Sequence, residues 1–385
     1  MLTIVATALL FLTIWIVIPA PNVWLLPLSV GAPEVSPILF AASVLTLVLS
    51  LRHAGKRKLA VLFSLAAAGL SVIPYSQMSR VQREFDRELA RAFPAFAQGK
   101  APDGMRPAPF AVKELLTGIE TGDNLRIVRA IKFGAPEGMP LVLDIYRPSS
   151  DGPHPMLVQI YGGAWQGGNR TDNETSARYF ASKGYVVFAI EYRHAPRWAW
   201  PTPLQDVREA ITWVRAQAGG FGGDPNRLAV IGRSAGAHLA LLAAYSGDSR
   251  VDAVAAYYAP TDLTRGWQDE PKPDPLSVRS VLETFLGGTP ETVAHRYREA
   301  SPIAYASAGA PPSLLIYGKR DHVVLPRFGR DLHAKLREMG ARSMYLEIPW
   351  ADHAFDSLPG GLSGQVSLYY TERFLAAAMP RRRGA

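Results

Sequence analysis

The first 33 residues carry no charged side chain. Two more charge-free stretches follow, 35–51 and 59–79. Each approaches the roughly 20 apolar residues that cross a bilayer, so the chain opens with a membrane domain over 1–79, three transmembrane helices being the direct expectation. The first run, 2–18, lacks the basic leader and small-x-small site of a cleaved signal peptide ahead of Pro19 and Pro21. Two spans plus a signal or re-entrant segment remain the alternative. The stretch 52–58 (RHAGKRK) holds four Lys/Arg in seven residues and is expected to stay cytoplasmic. A multi-pass membrane protein with an extracytoplasmic C-terminal domain follows. Arg80, Arg83, Arg87 and Arg91 argue the other way, but long domains are translocated regardless of charge.

Val81, Phe85, Leu89 and Phe93 recur every four residues with Arg83, Glu84, Arg87 and Glu88 between them, which predicts an amphipathic helix over 80–93. Its apolar stripe has two possible homes, the lipid headgroups or the domain that follows. Residues 98–113 are a Pro/Gly-rich linker, so 80–124 reads as helix plus linker. A second domain is expected over 125–378 and a basic tail over 379–385. The chain contains no cysteine, which removes disulfides, zinc–thiolate sites and cysteine nucleophiles. Its net charge of +8 is scattered apart from Lys56–Lys58 and Arg381–Arg383, so nucleic acid is not the expected partner.

From 125 onward, β-branched runs alternate with helical patterns. Strands are expected at 126–133, 141–146, 156–161, 185–191, 228–231, 253–258, 313–317 and 343–348, and helices at 175–183, 203–217 and 235–245. That alternation predicts an α/β fold, a mostly parallel sheet flanked by helices with its ligand site at the carboxyl ends of the strands.

The chemistry-bearing residues fall at those ends. Gly232-Arg233-Ser234-Ala235-Gly236 is a G-x-S-x-G pattern between a strand and a helix, where a tight turn exposes the serine hydroxyl at a helix N-terminus. A serine is a poor nucleophile until a histidine takes its proton and an acid orients that histidine. Asp321 and His353 follow later strands in the order Ser, acid, His, and the three form a candidate catalytic triad. Asp352 and Asp262 are the fallback acids. His322 and His238 read as structural, although His238, one helical turn past Ser234, is also a candidate pocket residue. Gly162-Gly163-Ala164-Trp165 stands where a glycine-rich oxyanion loop is required, so the backbone of Gly162, Gly163, Ala164 and Ala235 is the candidate oxyanion hole.

Five linked stretches carry a family resemblance: Leu143-Asp144-Ile145-Tyr146-Arg147-Pro148, Tyr161-Gly162-Gly163-Ala164-Trp165, Glu191-Tyr192-Arg193-His194-Ala195-Pro196, Pro203-Leu204-Gln205-Asp206, and Gly222-Gly223-Asp224-Pro225 through His238. From about 125 to 378 the chain resembles α/β-hydrolase carboxylesterases of the hormone-sensitive-lipase-like and feruloyl-esterase-like kind, and is similar to isoprenylcysteine methylesterases. The resemblance implies an α/β-hydrolase fold and hydrolysis of carboxylic esters through an acyl-serine, with no metal and no organic cofactor. Tyr161 stands where the family usually has histidine, which puts the shape of the oxyanion loop in question.

Residues 262–300, carrying Trp267, Pro271, Pro273, Pro275 and Phe285, are expected to cap an acyl pocket with Trp165, Trp198 and Trp200 as candidate walls. A domain tethered beside a bilayer suggests a lipid or other apolar ester, and small soluble esters stay open. An acyltransferase or an amidase/peptidase would use the same triad, and a non-catalytic binding domain would use the same fold.

Overall fold

The computed structural model of the protein describes residues 1–385 except 53–56, 101, 103, 123, 248 and 381–385. The middle of the basic loop, two linker positions and most of the expected basic tail therefore lie outside the described residues.

Among the described residues, eight strands form one sheet: β1 (Leu125–Gly134), β2 (Leu141–Pro148), β3 (His154–Ile160), β4 (Val186–Ile190), β5 (Gly223–Arg233), β6 (Ala253–Tyr257), β7 (Ser313–Gly318) and β8 (Ser343–Ile348). Their order is β1-β2-β4-β3-β5-β6-β7-β8. β1 and β2 pair antiparallel, as does β2 with β4, and the rest are parallel. Every residue of β4, β6 and β7 is buried, because helices cover both faces of the sheet. The expected α/β architecture with a mostly parallel sheet is what forms.

The N-terminal part differs from three plain spans. α1 (Leu2–Ile14) has 13 residues, short of the roughly 20 that span a bilayer, and it ends before Pro19 and Pro21. α2 (Leu26–Glu34) and α3 (Ser36–Leu51) meet at a 78° bend flanked by Pro33 and Pro37, the residues that interrupt a helical ladder. α4 (Lys58–Ala92) is continuous over 35 residues and is the one helix among those described that is long and apolar enough to cross a membrane by itself. The expected boundary at 79/80 is thus absent, since the third apolar run and the amphipathic helix are one rod.

α3 and α4 are inverted relative to a soluble helix. Ser36, Ser43 and Ser50 on α3, and Ser64 and Ser71 on α4, are buried at seven-residue spacing, whereas Ile38, Phe40, Leu45, Val48, Leu59, Leu62 and Leu65 point outward. Seven residues is close to two turns, so each series lies on one face, and small side chains there let the helices approach closely. Among the described residues, the exposed large apolar side chains lie in residues 1–75 apart from Val112, Leu116, Met339 and Leu358.

The C-terminal half of α4 chooses between its two possible homes. Val81, Phe85, Leu89 and Phe93 are buried, with Phe85 5.1 Å from Tyr370 and Phe93 5.9 Å from Phe374, ring centroid to centroid, both edge-to-face. The stripe packs on the helix Leu362–Ala378 of the sheet domain.

Candidate active site

Strand register brings the candidate residues together. β3 and β5 pair with Ile160 opposite Gly232, so two residues further on Gly162 stands beside Ser234. β7 and β8 pair with Gly318 opposite Ile348, which sets Asp321 and His353 on neighbouring loops.

Ser234 sits on a strained turn, φ 50° and ψ −120°, at the N-cap of the helix Ala235–Tyr245. The glycines around it are sterically required. A Cβ on Gly232 would stand 2.3 Å from the Gly236 carbonyl oxygen, and one on Gly236 would stand 2.2 Å from that of Tyr161. The turn aims the hydroxyl at His353 Nε2, 3.1 Å away, and His353 Nδ1 lies 2.8 Å from Asp321 Oδ2. The other oxygen of Asp321 accepts backbone N–H bonds from Val323 and Val324 at 2.9 and 2.7 Å. A carboxylate so held cannot rotate away from the imidazole. Ser234, His353 and Asp321 therefore lie in one continuous line, the geometry of nucleophile, base and orienting acid.

Gly162, Gly163, Ala164 and Ala235 line the same cavity as Ser234 and His353. Gly163 has φ +122° and no room for a side chain, since a Cβ would meet the Gly167 carbonyl oxygen at 2.2 Å. Ala164 and Trp165 follow in the left-handed region at φ 55° and 58°, so the loop turns sharply with its backbone toward the serine. Tyr161 supports it from below. Its hydroxyl donates to the Tyr192 carbonyl oxygen at 3.3 Å and lies 2.8 Å from His194 Nε2, and burial raises its pKa, keeping it a neutral donor.

Of the two expected pocket residues, Trp165 lines the cavity while His238 stands behind it. The Trp165 indole N–H donates to His238 Nδ1 at 3.2 Å, and His238 Nε2 donates to the Ala300 carbonyl oxygen at 2.6 Å. Both nitrogens are thus committed to protein partners, and burial pushes the His238 pKa down to about 4, so the ring is neutral and fixes the indole. Phe285 stacks on the other side of Trp165 at 4.2 Å and 4° between planes. His238 and Phe285 are second-layer supports, which sequence spacing along a helix does not distinguish from a wall.

The cavity has a volume of about 530 Å³. Leu263, Leu276, Val281 and Leu282 from the region 262–300 form one wall, and Val323, Val324 and Phe328 another. Residues 262–300 thus supply one wall, but of the candidate tryptophans only Trp165 lines the cavity: Trp267 is spent on a hydrogen bond to Glu283 at 2.8 Å, and Trp198 and Trp200 do not line it. Arg233, directly before Ser234, is buried, with its guanidinium bonded to Asp356 and, at 3.0 Å, to Ser176 Oγ. Asp356 also accepts the Tyr258 hydroxyl. Burial alone would lower the Arg233 pKa, but Asp356 and the neighbouring tyrosines raise it overall. Local sequence carries no signal for this pair, whose partners stand 123 positions apart.

Residues 143–336 match the BD-FAE family. The chain is 33% identical over 337 residues to "Probable carboxylic ester hydrolase LipM" of Mycobacterium tuberculosis, covering 80% of this chain and 76% of that one. It is 28% identical over 244 residues to "Probable isoprenylcysteine alpha-carbonyl methylesterase ICME" of Oryza sativa, and spans 57% of that protein's length. Among solved structures it is similar to a thermophilic esterase of Thermogutta terrifontis, with a TM-score of 0.52 and 25% identity over 63% of this chain and 88% of that one.

Proposed function

The chain belongs to the BD-FAE family and is an α/β-hydrolase that acts on ester bonds; on that premise we propose that it is a membrane-anchored serine carboxylesterase for apolar acyl esters, working through an acyl-serine. The observation that carries the reading is the unbroken line from Ser234 Oγ through His353 to Asp321, opening on an apolar cavity.

In this mechanism His353 Nε2 takes the hydroxyl proton as Ser234 Oγ attacks the ester carbonyl carbon. The carbonyl oxygen becomes an oxyanion facing the backbone N–H groups of Gly162, Gly163, Ala164 and Ala235, aided by the N-terminus of the helix after Ser234. Collapse expels the alcohol, protonated by His353, and leaves the acyl-serine. Water then attacks with His353 as base, releasing the acid and restoring the Ser234 hydroxyl. Asp321 keeps the imidazole tautomer and stabilises its charged form throughout. The acyl chain lies between Leu282, Val281 and Phe328.

Anchoring is supported by the inverted α3 and α4 faces, whose outward apolar residues suit lipid better than water. The four Lys/Arg of the stretch 52–58 support a reading in which that end stays in the cytoplasm and the hydrolase lies on the far side.

The test is hydrolysis of p-nitrophenyl esters of increasing acyl length by the detergent-solubilised full chain, run beside Ser234→Ala. Turnover that disappears in the variant, with a medium or long acyl preference, is expected. Unchanged turnover in Ser234→Ala would refute the mechanism, and absence of turnover in the folded wild type would redirect the assignment to acyl transfer. Protease protection of the 125–378 unit in sealed vesicles reads the orientation.

A further inference from the structure

The candidate catalytic loops are not held by the sheet domain alone. Asp352, next to His353 in the chain, is 3% exposed. Its Oδ1 accepts the His353 backbone N–H at 2.7 Å and lies 2.9 Å from His322 Nδ1. Its Oδ2 accepts the hydroxyl of Ser29, on α2, at 2.8 Å. On the other side, His322 follows Asp321 and its Nε2 donates to the Ala20 carbonyl oxygen at 3.2 Å. One short N-terminal segment thus touches the residue after the acid and the residue before the base.

The Ser29 hydroxyl has one proton and two acceptors in reach, Asp352 Oδ2 at 2.8 Å and the Leu26 carbonyl oxygen at 3.2 Å. The nearer acceptor is a carboxylate, which forms the stronger bond. The loop it steadies needs outside support, because Ala354, directly after His353, stands in the left-handed region at φ 56°, a conformation that persists only where its surroundings impose it.

We propose that Ser29 is a positioning residue for ester hydrolysis: its hydroxyl fixes the Asp352 carboxylate, whose other oxygen holds the His353 backbone and so sets His353 Nε2 against Ser234. The inference rests on the reading of Ser234, His353 and Asp321 as the catalytic set. It makes the N-terminal helices a working part of the hydrolase and not a detachable tether.

The experiment compares wild type, Ser29→Ala, Ser29→Thr, Ser43→Ala and Ser234→Ala, each as the full chain in detergent, on p-nitrophenyl butyrate. Ser29→Ala is expected to lower kcat about tenfold with KM held within about twofold, well inside the hundredfold that a 1 Å misplacement can produce. Ser29→Thr keeps a hydroxyl and should recover most of the loss. Ser43→Ala removes a buried serine with no hydrogen-bond partner and should leave kcat unchanged. Wild-type kcat in Ser29→Ala, even with a lowered melting temperature, would overturn the proposal, leaving Ser29 a structural contact. If Ser29→Ala does not fold, Ser29→Cys, a side chain of similar size and a weaker donor, probes the same bond: a fall in kcat at constant KM supports it and wild-type kcat overturns it. Activity surviving in Ser234→Ala would instead overturn the underlying triad reading, whatever Ser29 does.

Discussion

Tyr161 and Tyr192 clamp each other: their rings stack with centroids 4.6 Å apart and planes 17° from parallel, and each hydroxyl donates to the other's backbone carbonyl oxygen, at 3.3 and 3.2 Å. The residue that departs from the usual histidine is therefore the one that ties the glycine loop to the strand end beside it. Tyr161→Phe keeps the stack but removes the bond to the Tyr192 carbonyl oxygen and the 2.8 Å contact with His194 Nε2, so a loss of about 1–3 kcal/mol in stability is expected, read by urea denaturation. A several-fold fall in kcat should accompany it as the oxyanion donors loosen. Unchanged kcat would show that the backbone holds the loop unaided.

Asp321→Asn should fold normally, because the amide oxygen can still accept from the Val323 and Val324 N–H groups. Its amide nitrogen would favour the wrong imidazole tautomer, and kcat is expected to fall by about 10⁴. Steady-state kinetics on a p-nitrophenyl ester measure it. Wild-type turnover would move the acid elsewhere, although Asp352, the fallback from sequence, holds the His353 backbone and not its ring.

Gly236→Ala places a methyl 2.2 Å from the Tyr161 carbonyl oxygen and 2.5 Å from that of Ile160. Both are strand-end backbone atoms that cannot swing aside, so destabilisation above about 4 kcal/mol is expected. Circular dichroism melting decides it, and a melting temperature within a few degrees of wild type would contradict the close packing of helix on strand.

Acid should destabilise the protein through His238. Its folded pKa, about 4, lies below the ordinary value near 6.5, so between those values the unfolded chain binds the proton and the folded one does not. Stability therefore falls as pH drops from about 6.5 to 4, by roughly 3 kcal/mol from this group. Melting temperatures of wild type and His238→Asn across that range test the sign. An equal slope in both would assign the acid sensitivity to other groups.

Val281→Trp should fill part of the cavity proposed to take the acyl chain, which Val281 lines. Short-chain esters are expected to keep their kcat/KM, while long-chain esters lose about tenfold or more per excluded methylene pair. An unchanged chain-length profile would place the acyl group in another part of the cavity.

Local sequence determined much of this molecule. The alternation of apolar runs and helical stretches after 125 specified the strands to within a residue or two at most ends, because side-chain period and turn residues are short-range properties. Gly232, Ser234 and Gly236 announced the strand-turn-helix bend, since few residue types tolerate that backbone. What tertiary structure decided was everything that depends on distant partners. Whether the stripe Val81, Phe85, Leu89, Phe93 met lipid or protein was settled by Tyr370 and Phe374. That α4 runs through Pro74 as one rod while α1 ends ahead of Pro19 shows that the effect of a proline varies with its context. His238 became a support for Trp165, and Asp352 a link to Ser29 across 323 positions. A side chain's type fixes which bonds it can make, but only the folded chain decides which of its possible partners arrives within reach.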